Sequence, residues 1–127
     1  MARARNGDTG SEEWFRRARR NLRVANAVLE SGFPDVAAFY AQQAAEFALK
    51  ALQICRTGTF SRVHDLTALG RDVSAPPRIM KLAAAVTPAY VGARYPDAGG
   101  RITRRSAESA MDAAGRIVRW VRRQMAY

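Results

Sequence analysis

Cysteine and histidine each occur once in this sequence, as Cys55 and His64, and lysine only twice against 19 arginines. A lone cysteine excludes an internal disulfide and any cysteine-based structural zinc site, and on an apolar helix face it reads as a small core residue. One histidine among scattered carboxylates is a poor set of metal ligands, so no metal and no cofactor are expected. No apolar run approaches the roughly 20 residues of a membrane span. The opening MARARNGDTGSEEW lacks the apolar stretch of a secretory signal, so the expectation is a cytoplasmic protein without membrane contact. Strand-like alternation, internal repeats and low-complexity tracts are missing too. GARYPDAGGR has neither the glycine spacing nor the preceding strand of a nucleotide phosphate loop.

What is present is a globular composition, 48% hydrophobic and 25% charged over 127 residues. That length suits one core and one domain. The expected division is a flexible stretch over 1–10 and a single helical domain over 11–127. The net charge of +10 is concentrated at the two ends. Residues 1–23 hold seven arginines against three acids, and residues 101–123 seven against two, giving +4 and +5. If these segments pack side by side, Arg16, Arg19, Arg20, Arg23, Arg119, Arg122 and Arg123 form one cationic face suited to phosphates, with RNA as the natural partner. The competing reading is a compositional preference for arginine on ordinary solvated helix faces.

Helical spacing runs through the whole chain. Ser11 is placed as the cap of a first helix, with Glu12 and Glu13 in its first turn and Trp14, Ala18, Leu22, Ala25 and Leu29 on its apolar face until Gly32. Pro34 suits the first turn of a second helix reaching about Cys55, apolar nearly all round and therefore the buried central one. A turn-rich stretch leads to a short helix over about 65–72. Pro76 and Pro77 open a fourth, with Ile79, Leu82, Ala83, Val86 and Tyr90 on one face and Pro88 expected to kink or split it. Thr103 is placed as the cap of a long last helix, whose stripe is Ala107, Ala110, Ala114, Ile117, Val118, Val121 and Met125.

Three polar features interrupt this pattern. Gln43, Glu46, Lys50 and Gln53 share one line on the central helix, with Glu46 and Lys50 in the favourable order for an ion pair. The line is either a solvent-facing seam or a polar groove for a ligand or partner, with Gln43, Glu46 and Lys50 as its lining. His64 and Asp65 stand at the start of the third helix, where a local anchoring role outweighs a catalytic or metal-binding one. ARYPDAGGR, residues 93–101, either ends the fourth helix or holds Arg94 at the mouth of a site.

AFYAQQAAEFALKAL on the central helix, HDLTAL at the third and ARYPDA after the fourth together resemble the HEPN family, small helical nucleotide- and RNA-associated domains of prokaryotes and higher eukaryotes. The resemblance covers about residues 13–124. It implies an all-α, up-and-down bundle of four long helices plus a short extra helix, usually a homodimer, often beside a small nucleotidyltransferase partner. Many HEPN domains are metal-independent ribonucleases that use an arginine followed a few residues later by a histidine. Arg94 matches the arginine, but the histidine would fall at Gly99, Gly100 or Arg101. Arginine stays protonated and cannot replace an imidazole as general base or acid.

Two functional classes follow. The first, preferred because the histidine is missing, is a noncatalytic module that binds RNA, a nucleotide or a nucleotidyltransferase, as one half of a toxin–antitoxin-like pair. In it Arg94, Tyr95, Asp97 and Arg101 form the ligand-binding loop. The second is a metal-independent endoribonuclease with a non-standard site, in which His64 or a residue across a dimer interface joins Arg94 as the catalytic set.

Overall fold

The computed structural model describes the backbone over residues 2–94 and 101–126 and the side chains over residues 10–88 and 101–126. Five helices follow in order: α1 (Ala2–Glu30), α2 (Pro34–Thr57), α3 (Leu66–Asp72), α4 (Pro77–Arg94) and α5 (Arg104–Met125). No strand occurs among the described residues. The four long helices and short α3 make the all-α, up-and-down bundle that the helical spacing and the family resemblance imply.

Helix α2 is the centre, packing against each of the other four. Its first turn has Pro34 at the start and Asp35 beside the positive end of the helix dipole, and Gly58 closes it in a left-handed conformation at φ 85°. Seven of its alanines, at 37, 38, 41, 44, 45, 48 and 51, are fully buried. Side chains this small let neighbouring helices come close, while Leu49 and Leu52 supply volume to the core. The α1–α2 turn is a Schellman motif: Gly32, at φ 93°, donates its N–H to Leu29 O, and Phe33 donates to Val28 O.

At the same end of the bundle, where Arg104 Nη1 donates to Leu29 O at 3.4 Å, Thr103 caps α5 through a reciprocal box with Ser106. Every residue of the expected α5 stripe is buried, joined by Ala113 and Trp120. Cys55 is half-buried against the core.

Two boundaries differ from the sequence reading. Helix α1 begins at Ala2, so Ser11 lies inside it, fully buried, rather than at its start as a cap. Packing against α2 overrides the weak helix propensity of this stretch: a Cβ on Gly10 would come 3.2 Å from Ile54 Cγ2. In addition, of the kink or split expected at Pro88, the split does not occur: α4 runs through the proline as one helix. Ile79, Ala83 and Val86 face the core as the spacing implies, with Leu82 half-buried, and the Tyr90 side chain lies outside the described residues.

Candidate nucleic-acid interface

Helix α1 presents Arg16, Arg19, Arg20 and Arg23 at three- and four-residue steps on one exposed face. Helix α5 presents Arg116, Arg119 and Arg123, also exposed, together with Arg122. Because both helices pack on α2 and touch each other, the two basic ends of the chain lie side by side. Between them runs a groove of about 450 Å³ whose rim is Arg19, Arg23, Arg119 and Arg122 and whose floor is Phe15, Leu22, Gly115 and Val118. A second groove of about 300 Å³ extends the surface towards α4 through Arg78, Leu82, Arg116, Arg119 and Arg123. A third, at the middle of α1 beside Glu12 and Arg16, shares Phe15, Arg19 and Arg122 with the first.

Few of these charges are neutralised. Arg122 lies 3.7 Å from Glu12 Oε1, and its guanidinium sits 5.2 Å from the Phe15 ring centroid. Arg116 pairs with Asp112 at 3.1 Å. Glu13 accepts from Arg17 at 2.9 Å and also from Arg16. These hydrogen bonds, the one from Arg17 first, hold the exposed Glu13 carboxyl below its ordinary value. Arg19, Arg20, Arg23, Arg119 and Arg123 form no ion pair among the described residues. Like charges gathered this closely repel one another and attract a polyanion.

The polar line on α2 is not a solvent-facing seam. Glu46, Lys50 and Gln53 are each only 3% exposed, and the fourth buried member is Gln42 rather than Gln43, which is half-buried. The stretch 58–65 folds over them. Gln42 Nε2 donates to His64 O at 3.2 Å, and Gln53 bridges Ser61 and Asp72, donating to Asp72 Oδ2 at 2.7 Å. Lys50 Nζ is 3.0 Å from Glu46 Oε2, and His64 Nδ1 is 2.7 Å from the same oxygen. The Glu46 carboxylate is buried while the imidazole it holds is mostly exposed. Asp65 alone caps α3, accepting from Thr67 N at 3.1 Å, so the anchoring foreseen for His64 is made across to α2.

The expected ligand loop is only partly described. Arg94 is the last residue of α4, and its side chain lies outside the described residues, as do Tyr95, Asp97, Gly99 and Gly100. Arg101 is exposed two residues before the α5 cap. Among the described residues, no three His, Cys, Asp or Glu side chains are grouped to hold a metal ion, and no helix is long and apolar enough to cross a membrane.

With the bundle and its two polar regions defined, the chain can be placed among known proteins. It belongs to the HEPN family: the HEPN domain model matches residues 11–124. The crystal structure of TT1696 from Thermus thermophilus is similar at 36% identity with a TM-score of 0.81, covering 89% of this chain and 96% of that one. ST0689, described as an archaeal HEPN homologue, is similar at 32% identity with a TM-score of 0.75, covering 91% and 98%. A search of curated proteins gave no match.

Sequence reasoning brought the arginines together but missed the groove floor. Phe15, not Trp14, is the fully packed aromatic at the start of the α1 face, while Trp14 packs half-buried against Phe47 and Phe60. The available signal was spacing, since Phe15 is three residues before Ala18 and seven before Leu22. Gly115 gave a second: it is a lone glycine inside an otherwise strongly helical run.

Proposed function

We propose that this HEPN protein is a noncatalytic RNA-binding module whose α1–α5 face holds the sugar–phosphate backbone. The observation that carries the proposal is the joining of Arg19 and Arg23 with Arg119 and Arg122, from opposite ends of the chain, around one groove. Guanidinium groups suit this task because each presents a planar fork to phosphate oxygens and remains charged. The proposal includes an isologous homodimer, as the family resemblance implies, and a small nucleotidyltransferase as partner within a toxin–antitoxin-like pair. The dimer contact lies away from the groove, since a two-fold axis through it would set arginine against arginine. Fluorescence anisotropy with labelled RNA tests the reading: affinity should fall steeply as salt rises, and Arg19→Glu with Arg119→Glu should weaken binding across sequences. Salt-independent or undetectable binding would count against it.

A second reading, a metal-independent ribonuclease, is favoured by the contact between Glu46 and His64. When Nδ1 donates to the buried carboxylate, Nε2 is left as an acceptor able to take a proton from a ribose hydroxyl. RNA cleavage in the presence of chelator, lost in His64→Ala, would establish this reading over the first.

A further inference from the structure

Gly115 sits in the middle of α5, where glycine destabilises a helix relative to alanine. Packing offers no reason for it. A Cβ built there would meet only the Arg119 guanidinium, at an ordinary 3.6 Å, with no atom of α1 within 4 Å. The missing side chain instead deepens the floor of the arginine-rimmed groove between Leu22 and Val118. Gly115 is itself buried, and the side chain over it is the flexible Arg119 arm, so a flat group reaches the helix backbone here once that guanidinium turns outward to a phosphate.

We propose that this groove takes an unpaired nucleobase of single-stranded RNA, lying over Gly115 between Leu22 and Val118, with the flanking phosphates on Arg19, Arg23 and Arg119. This inference rests on the RNA reading above and specifies the form of RNA. The net charge of +10 disfavours a second copy of this chain as occupant, and four arginines at the rim favour an anion. The apolar floor separates single strands from duplexes, because a duplex offers phosphates to the rim but keeps its bases stacked and paired. At about 450 Å³ the groove is within the size range of small-ligand clefts. The guanidinium of Arg122, already laid on the Phe15 ring, offers its outer face to a base.

The test uses the full chain and three labelled probes: a short oligoadenylate, the same-length abasic ribose-phosphate oligomer, and a duplex of equal length. The oligoadenylate should bind roughly tenfold more tightly than the abasic oligomer, the usual scale for one stacked base. Gly115→Leu, which fills the floor without changing charge, should abolish that advantage, read as the ratio of the two affinities measured on the same variant. Gly115→Ala should raise the Tm while reducing the advantage, which separates loss of the cleft from loss of folding. Equal binding of the oligoadenylate and abasic oligomer overturns the inference while leaving the RNA reading intact. So does an unchanged preference in Gly115→Leu, or a duplex bound at least as tightly. Absence of binding to all three probes defeats the RNA reading itself.

Discussion

The imidazole of His64 lies 2.7 Å from the carboxylate of Glu46, which is 18 residues earlier in the chain and on another element, the central helix. The same Glu46 oxygen is 3.0 Å from the Lys50 ammonium. One buried anion therefore joins α2 to the segment that leads into α3. Its burial makes the cluster sensitive to removal of any single charge, since an unpaired ion left in the interior keeps its desolvation penalty.

Glu46→Ala should accordingly destabilise the fold by about 3–5 kcal/mol, the range for breaking a buried pair from one side. Glu46→Leu combined with Lys50→Met should restore much of this loss, because no buried charge is then left alone. Urea unfolding of the single and double variants measures the difference. Single variants as stable as the parent chain would mean that water reaches the pair.

Gln53 ties Ser61 and Asp72 to the central helix, and Gln42 holds the His64 carbonyl. Gln53→Ala leaves these groups without their partner and should cost about 1–3 kcal/mol. The loss should be local, with faster amide exchange over residues 58–65 than over α5. Uniform acceleration throughout the chain would contradict it.

How much of this was legible beforehand depended on whether the deciding contacts were local. The Thr103 cap and the α5 stripe follow from neighbours on a single helix, and they were read correctly. The convergence of the two arginine clusters followed from only one further assumption, that the terminal helices lie together. Ser11 was misread as a cap because its serine and glutamates fit a helix start, whereas its actual role is set by burial against distant residues. The stripe of Glu46, Lys50 and Gln53 could be placed on one line from spacing alone. That a turn-rich stretch would fold over it, and recruit Gln42 in place of Gln43, has no local signature. The ARYPDA motif carried the family resemblance, yet the Tyr95 and Asp97 assignments fall outside the described residues.

Ser74 adopts φ 56° in the turn between α3 and α4, where Ala75 donates to Gly70 O at 2.9 Å in a Schellman arrangement. A side chain in the left-handed region is strained, and this serine is exposed. Ser74→Gly should stabilise the protein by about 1 kcal/mol. Thermal unfolding measures it, and a lowered Tm would show that the serine side chain has a compensating role.

Glu13 partly neutralises the arginine face by holding Arg16 and Arg17. Its carboxyl is lowered in the folded chain, so its contribution to stability is fully present above the ordinary carboxyl value of 4.5 and is lost as pH falls through the folded value. The exposed setting keeps that contribution small. Glu13→Gln should strengthen RNA binding at low ionic strength, with the gain disappearing as salt rises. An NMR titration of Glu13 that follows a model carboxylate would contradict the pairing.

Only two lysines exist to be modified, and Lys50 is enclosed with Glu46, which leaves Lys81 as the one side-chain amine that an acetyl group could readily reach. The arginines that rim the groove are not substrates for lysine acetylation, and guanidinium groups keep their charge at any pH a cell sustains. The surface potential is thus a permanent property of the protein. Occupancy of the groove can be adjusted by ionic strength or by a competing anion, and scarcely at all by protons or lysine chemistry.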